Sequence, residues 1–355
     1  MLKNPRLRKR FFKSFLFTVL AGLVIIGATL LLLRMLISPP TVPVHAEMPF
    51  LPNLPGPTTS PQGDAFDTVE PHPDDALLRP SIPEGWARRD NFWTLLIFGY
   101  DEGLNTDTIM VAAFDVDNES AYLVSIPRDT RIDVRRNVRR INSAYPVGRI
   151  VGGGHDGGVE QLRREVQTLI GFMPDFYVSV QDAAFERIVD AVGGVYIDVP
   201  FHMRYDDPFQ GLSINIPAGR QRLDGRNALH FVRYRYGNNR QLTISDDRRM
   251  GHQQQLIAAM MDELLTPRVV LRIPELLSTY RDHVSTDLSL SDMLWFAEQF
   301  ITGNITLHSY VYPTTSRRIS HWYEIPNEQE ALELINRTIN PFNQDITSAN
   351  LQLSR

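Results

Sequence analysis

Cysteine is absent from the 355 residues, and lysine occurs only as Lys3, Lys9 and Lys13, so beyond position 13 arginine replaces lysine throughout. The first absence excludes a thiol nucleophile and a Cys-ligated metal site. The second excludes, past the N-terminus, a Schiff-base lysine, a Ser-Lys dyad and a phosphate-loop lysine. A Gly-x-Ser-x-Gly nucleophile elbow is also missing. Strong positive charge in the body of this chain is therefore guanidinium charge. At 43% hydrophobic residues and a formal charge of -5, the chain has room for one large core or two modest ones.

The charge is unevenly placed. Phe15 to Leu33 is an uncharged apolar run, long enough at about 1.5 Å per helical residue to cross a hydrocarbon core of about 30 Å. Lys3, Arg6, Arg8, Lys9, Arg10 and Lys13 precede it without an acid, which orients the N-terminus to the cytoplasm. A cleaved signal peptide ending at Val44-His45-Ala46 is the alternative, but the run exceeds the usual apolar segment of about 7–15 residues. Beyond residue 38 the chain carries 29 arginines against 41 acids, a net charge of -12 that argues against a nucleic-acid partner. Pro39 to Asp90 holds 12 of the 24 prolines and reads as a stiff linker. The expected organisation is a cytoplasmic basic segment (1–14), a transmembrane signal anchor (15–37), an extracytoplasmic linker (38–90), a folded catalytic domain (91–340) and a loose tail (341–355). That organisation predicts a single-pass protein of the cell membrane with its N-terminus in the cytoplasm.

Within the domain, short runs rich in strand formers at Thr94–Tyr100, Thr108–Phe114 and Ala121–Ile126 predict three strands. Helical spacing follows at Gly158–Ile170, a strand at Phe176–Val180, a helix at Ala183–Val192 and a strand at Val195–Val199. Further helices are expected at Asp224–Val232, Asp247–Leu265, Pro274–Tyr280, Ser291–Phe300 and Glu328–Ile339, with a strand at Thr306–Tyr312. Such alternation indicates an α/β fold with a central mixed sheet flanked by helices.

Two acids stand at strand boundaries, Asp101 and Asp107. Facing one loop, two carboxylates suit a hard divalent cation that stays partly hydrated for phosphate substrates; singly, such residues are ordinary turn chemistry. Arginines cluster from Arg128 to Arg140 and from Arg220 to Arg249. The guanidinium fork matches phosphate oxygens, although most of these side chains read as solvated surface. Arg128 follows a buried strand stopped by Pro127, so it belongs at a sheet edge. Arg233 and Arg235 converge if the helix from Asp224 ends near Val232, and Arg249 and Gln253 share a helix face.

The series Gly99-Tyr100-Asp101, Thr106-Asp107-Thr108, Ser125-Ile126-Pro127-Arg128-Asp129, Arg140-Ile141-Asn142-Ser143-Ala144-Tyr145, Val189-Asp190-Ala191-Val192-Gly193-Gly194-Val195, Leu223 to Leu229, Val232-Arg233-Tyr234-Arg235 and Asp246 with Arg249 and Gln253 resembles the LytR-CpsA-Psr family, in order from about Thr94 to Leu265. The resemblance implies an extracytoplasmic phosphotransferase that moves a glycopolymer from a polyprenyl-diphosphate carrier onto peptidoglycan through a phosphodiester. It implies Mg²⁺ (or Mn²⁺) on Asp101 and Asp107. Arg128, Arg140, Arg233, Arg235, Arg249 and Gln253 would bind the lipid diphosphate, with Asp101, Asp107, Arg128, Arg233 and Arg235 catalytic. An apolar slot for the lipid is implied; helices around Val166, Leu169, Phe185 and Ile188 would line it, or those residues are simply core. Asp129 and Asp246 are candidates for the general base.

The sequence departs from the family pattern twice. Asn105 stands where a basic residue is usual, and His252 stands where a second arginine commonly precedes Gln. His252 is expected as an exposed substitution, with partial replacement of the charge or proton carriage as the other roles. Hydrolysis of the carrier diphosphate, or silent binding of it, are the alternative activities. Gly152 to Gly158 is expected as a flexible loop, since it lacks the Lys-Ser/Thr continuation of a phosphate cradle, and His155 and Asp156 lack a spaced zinc partner.

Overall fold

The computed structural model describes residues 38–43, 85–101, 105–134, 136, 138–207, 212–234, 237, 246–264, 266 and 284–353. The run Phe15–Leu33, most of the proline-rich stretch and the helix expected at Pro274–Tyr280 lie outside them. No helix among the described residues is long and apolar enough to cross a membrane. The chain divides into two compact units, Met1–Thr41 with Leu288–Thr302, and Val42–Asp287 with Gly303–Arg355.

The strands are β1 (Phe92–Tyr100), β2 (Thr106–Asp115), β3 (Ser120–Ser125), β4 (Phe176–Gln181), β5 (Val195–Val199), β6 (Met203–Asp207), β7 (Leu212–Ile216), β8 (Gly219–Leu223), β9 (Val284–Thr286), β10 (Thr306–Val311), β11 (Thr314–Arg318) and β12 (Trp322–Pro326). The helices are α1 (Ala144–Val151), α2 (His155–Ile170), α3 (Asp182–Val192), α4 (Gly225–Arg233), α5 (Asp246–Leu264), α6 (Leu290–Thr302) and α7 (Glu328–Thr338). In the first unit, α6 opens on a reciprocal cap: Asp292 N–H donates to Ser289 Oγ, and Ser289 N–H to the Asp292 carboxylate.

The second unit is built on a mixed six-stranded sheet in the order β10-β3-β2-β1-β4-β9. β1–β2, β2–β3 and β4–β9 are antiparallel, whereas β1–β4 and β10–β3 are parallel. Register places Leu96 opposite Val111 and Phe98 opposite Ile109, on the face that forms the first core. Tyr145 of α1, Val159, Leu162, Val166 and Leu169 of α2, and Leu334 and Ile335 of α7 pack in that same core. Each such side chain contributes roughly 1.5–3 kcal/mol through burial. Val166 and Leu169 are fully enclosed there, so they are core and line no slot.

The opposite face carries Leu95, Ile97, Ala112, Val178 and Val180, all half-buried. Helix α5 lies at the β3–β10 side of this face, where Gln254 Nε2 donates to Ser125 Oγ at 3.0 Å and to the Tyr310 carbonyl at 2.8 Å. A second core lies around the two-stranded sheets β5–β8 and β6–β7 with α3, α4 and α5, and contains Val189, Ile197, Ile214, Phe231 and Leu256. Phe185 packs against it, and Ile188 is half-buried.

Three expectations are corrected. The folded part begins before Asn91: Arg88 pairs with buried Asp175 at 2.8 Å, Arg89 pairs with Asp115, and Trp86 packs edge-on to Phe342. The segment from Asn343 is not loose. Ile346 is 2% exposed, its backbone is bracketed by both ends of the Asn336 amide at 2.8 Å, and Gln352 N–H donates to the Thr168 carbonyl. Gly171 makes room for it, ending α2 at a φ of 87°; a Cβ there would stand 2.7 Å from Ile346.

The third concerns the glycine-rich stretch, where α2 already starts at His155 and the glycines serve a helix crossing. A Cβ on Gly148 would lie 2.4 Å from the Gly157 carbonyl oxygen, and one on Gly158 would lie 2.6 Å from the Tyr145 ring. His155 Nδ1 and Tyr145 Oη are hydrogen-bonded at 2.8 Å.

Candidate active site

The site grows from an irregularity in the sheet. Gly99 pairs with Thr108 and Tyr100 with Thr106, so Asp107 is an extra residue in β2, a bulge that turns its carboxylate out of the ladder. Asp101 follows the last residue of β1, and its Oδ1 accepts the Asn105 N–H at 2.9 Å, closing the short loop between the strands. Asn105 therefore serves the loop through its backbone.

Arg128 follows the proline that stops the third strand. Ile126 N–H still donates to the Ile109 carbonyl, Pro127 ends the pairing, and Arg128 Nη1 meets Asp107 Oδ1 at 2.6 Å. The Arg140–Tyr145 motif buttresses this pair, since Asn142 N–H donates to the Arg128 carbonyl and the Asn142 carbonyl accepts from Thr106 Oγ1. Arg140 itself stands 3.2 Å from Asp129 and donates to the Trp322 carbonyl at 2.9 Å. Asp129 is thus held by arginine, and its backbone carbonyl accepts the Glu324 N–H.

Arg249 and Gln253, 6% and 8% exposed, project from α5 into the recess that Asp107, Arg128, Asp129 and Glu324 line. This common face was legible from their spacing. Arg233 ends α4 and faces Asp182 at 3.5 Å. Asp182 was not foreseen. Burial raises its pKa to about 6; Arg233 opposes the shift, while Asp107 and Asp101 add to it. The three acids and Arg233 therefore share one electrostatic neighbourhood. Arg235 and the side chain of Asp246 lie outside the described residues.

His252 corrects the expectation of an exposed substitution. It is 8% exposed and its ring stacks on Phe231 at 4.5 Å. It lines a different hollow, with Phe201 and Arg248, and burial lowers its pKa below the ordinary histidine value. It does not line the recess that holds Arg249 and Gln253, and so does not stand in for the missing arginine there.

Among the described residues, no three His, Asp or Glu side chains gather to hold a metal ion. The donor set is a pair of carboxylates, Asp101 and Asp107, beside guanidinium groups. That set fits a cation which keeps most of its water and completes its shell with phosphate oxygens, as Mg²⁺ does. Taken together, guanidinium donors and carboxylates converge on one recess, a donor set that suits an anionic, phosphate-bearing ligand.

The family model described as the LytR_cpsA_psr family matches residues 70–340. The chain is 27% identical over 237 residues to the regulatory protein MsrR of Staphylococcus aureus, covering 64% of this chain and 67% of that one. It is 27% identical over 260 residues to the polyisoprenyl-teichoic acid–peptidoglycan teichoic acid transferase TagU of Oceanobacillus iheyensis, covering 71% and 74%. The cell wall biosynthesis protein LcpA of Corynebacterium glutamicum is 32% identical over 246 residues, covering 62% of this chain and 45% of that one. Among solved structures, Bacillus subtilis TagV superposes with a TM-score of 0.57 at 21% identity, covering 70% and 96%. TagT bound to LIIa-WTA superposes with a TM-score of 0.55 at 21% identity, covering 70% and 89%.

Proposed function

The chain belongs to the LytR-CpsA-Psr family, and from that membership we propose that it moves a glycopolymer from a polyprenyl-diphosphate carrier onto a sugar hydroxyl of peptidoglycan. The observation that carries this reading is the Asp107–Arg128 pair at the sheet bulge, in one recess with Arg249 and Gln253. The acceptor oxygen forms a bond to the phosphorus bearing the glycan, the bond from that phosphorus to the carrier phosphate breaks, and the hydroxyl proton passes to a base. Polyprenyl phosphate leaves. Such a displacement needs charge stabilisation and in-line placement more than covalent help, and guanidinium groups fixed by their neighbours provide both.

Arg128, Arg140, Arg233, Arg235 and Arg249 bind the diphosphate oxygens in this reading, with Gln253 donating beside them. Asp101 and Asp107 would hold Mg²⁺ or Mn²⁺, which when bound would neutralise charge developing on the phosphate oxygens. Asp129, which lines the recess and is oriented by Arg140, is the base in this reading. The half-buried sheet face of Leu95, Ile97, Ala112, Val178 and Val180 leads along β1 and β2 toward Asp101 and Asp107, and suits the polyprenyl chain. The apolar run Phe15–Leu33 would anchor the protein in the cell membrane with the domain outside.

The test combines purified full-length protein, Mg²⁺, a polyprenyl-diphosphate glycopolymer and peptidoglycan. Glycan retained on peptidoglycan supports transfer. Free glycan phosphate indicates hydrolysis instead, and bound lipid without turnover in either assay indicates a silent binder.

A further inference from the structure

Of the four tryptophans only Trp322 is exposed, at 60%. It stands on the β11–β12 hairpin, whose register pairs Arg318 with Trp322 and Ser316 with Glu324. Side chains alternate along a strand, so Trp322 and Glu324 project from the same face, roughly 7 Å apart, a spacing of the order of one sugar ring along a glycan. Glu324 lines the recess with Asp107, Arg128 and Arg249. The face thus runs outward from the site and ends on the indole.

This hairpin is fixed to the site loop. Glu324 N–H donates to the Asp129 carbonyl at 3.0 Å, and Arg131 N–H returns a bond to the Glu324 carbonyl at 2.9 Å. The Trp322 carbonyl accepts from Arg140. On the reverse face Tyr323 is 3% exposed, with the guanidinium groups of Arg131 and Arg140 at 5.8 and 5.7 Å from its ring. The backbone of Trp322 is therefore anchored while its ring faces water, an arrangement that presents a flat apolar surface at little ordering cost.

Charge indicates which substrate this ledge meets. Its inner end is a carboxylate, Glu324, which accepts from Thr314 Oγ1 and Ser316 Oγ. A carboxylate repels phosphate but accepts hydrogen bonds from sugar hydroxyls, whereas the diphosphate is drawn to the guanidinium side of the recess. We propose that the Trp322–Glu324 face binds the acceptor glycan strand of peptidoglycan, with Trp322 stacking against the ring next to the one that reacts and Arg318 donating to its hydroxyls. The proposal rests on the transfer reading above.

The experiment compares full-length wild type, Trp322→Ala, Trp322→Phe and Arg318→Ala in two measurements. One is co-sedimentation with sacculi stripped of attached polymers; the other is transfer rate with soluble glycan fragments varied at saturating donor. Trp322→Ala is expected to weaken sedimentation and raise the acceptor KM by about ten-fold at unchanged donor KM, with Trp322→Phe retaining most of the binding. Unchanged sedimentation and acceptor KM in Trp322→Ala overturn the proposal. So does a rise in donor KM alone, or loss of binding to anionic-lipid vesicles in place of sacculi. If wild type shows no transfer yet sedimentation still depends on Trp322, the ledge stands and the transfer reading fails.

Discussion

The Asp182 carboxylate and the Arg233 guanidinium lie 3.5 Å apart, joining the first residue of α3 to the last of α4. This pairing offsets the charge of a guanidinium that the proposed reaction directs at phosphate. Binding a diphosphate through Arg233 therefore exchanges one anion for another, and the carboxylate holds the side chain near its working position.

Asp182 makes stability depend on pH in an unusual direction for a carboxylate. Burial lifts its folded pKa to about 6 from an ordinary 3.8. Between those values the folded state keeps a proton that the unfolded chain releases, so this group lowers stability as pH rises from about 4 to about 6. Thermal unfolding of wild type and Asp182→Asn across that window is expected to show the downward contribution only in wild type. Parallel profiles would remove Asp182 as its source.

Arg128→Ala is expected to reduce transfer by about 10²–10³-fold, the usual scale for losing one preorganised charge donor. Arg128→Lys should recover only part, because an ammonium lacks the planar fork. Asp107 is 46% exposed, so the pair adds little to stability, and melting points of both variants should stay close to wild type.

Chelation is expected to abolish transfer, and Mg²⁺ or Mn²⁺ to restore it, while Asp107→Asn raises the metal concentration needed for half-maximal rate. Undiminished rates in chelator would sink the proposed role of the two carboxylates.

Arg136 and Glu165 form a buried two-point pair, at 2.5 and 2.8 Å. Arg136→Ala strands the Glu165 charge and is expected to cost about 3–5 kcal/mol in chemical denaturation. The double change to Met and Leu should recover most of that loss.

Ile346→Ala is expected to destabilise the second unit by about 2–5 kcal/mol, measured the same way. A loss within experimental error would mean that the C-terminal segment contributes nothing to the core.

Much of this was legible because it is written in periodicity and spacing. The strands at Thr94, Thr108 and Ala121 and the shared face of Arg249 and Gln253 follow from such patterns. The bulge at Asp107 does not, since it is a property of pairing register and has no local signature. Asp182 reads as a helix-start residue, and its partner lies on another helix. Val166 and Leu169 declare an apolar helix face but not which side of the sheet it covers. The β11–β12 hairpin, with Thr314-Thr315-Ser316-Arg317-Arg318 on one strand, has no apolar alternation; Tyr323 and its two arginines hold it in place. Arg136 looked like any member of its cluster until Glu165 met it.

Two segments far apart in sequence, Ala87–Arg89 and Pro341–Asn343, meet at the start of β1. Arg88 bridges to Phe342, Arg89 N–H donates to the Pro341 carbonyl, and Asn343 N–H to the Ala87 carbonyl. From there β1 runs nine residues, roughly 30 Å, before the chain reaches Asp101. The chain thus enters the fold at one end of β1 and carries its chemistry at the other, a full strand length from the place where the Arg88 and Phe342 segments close on each other.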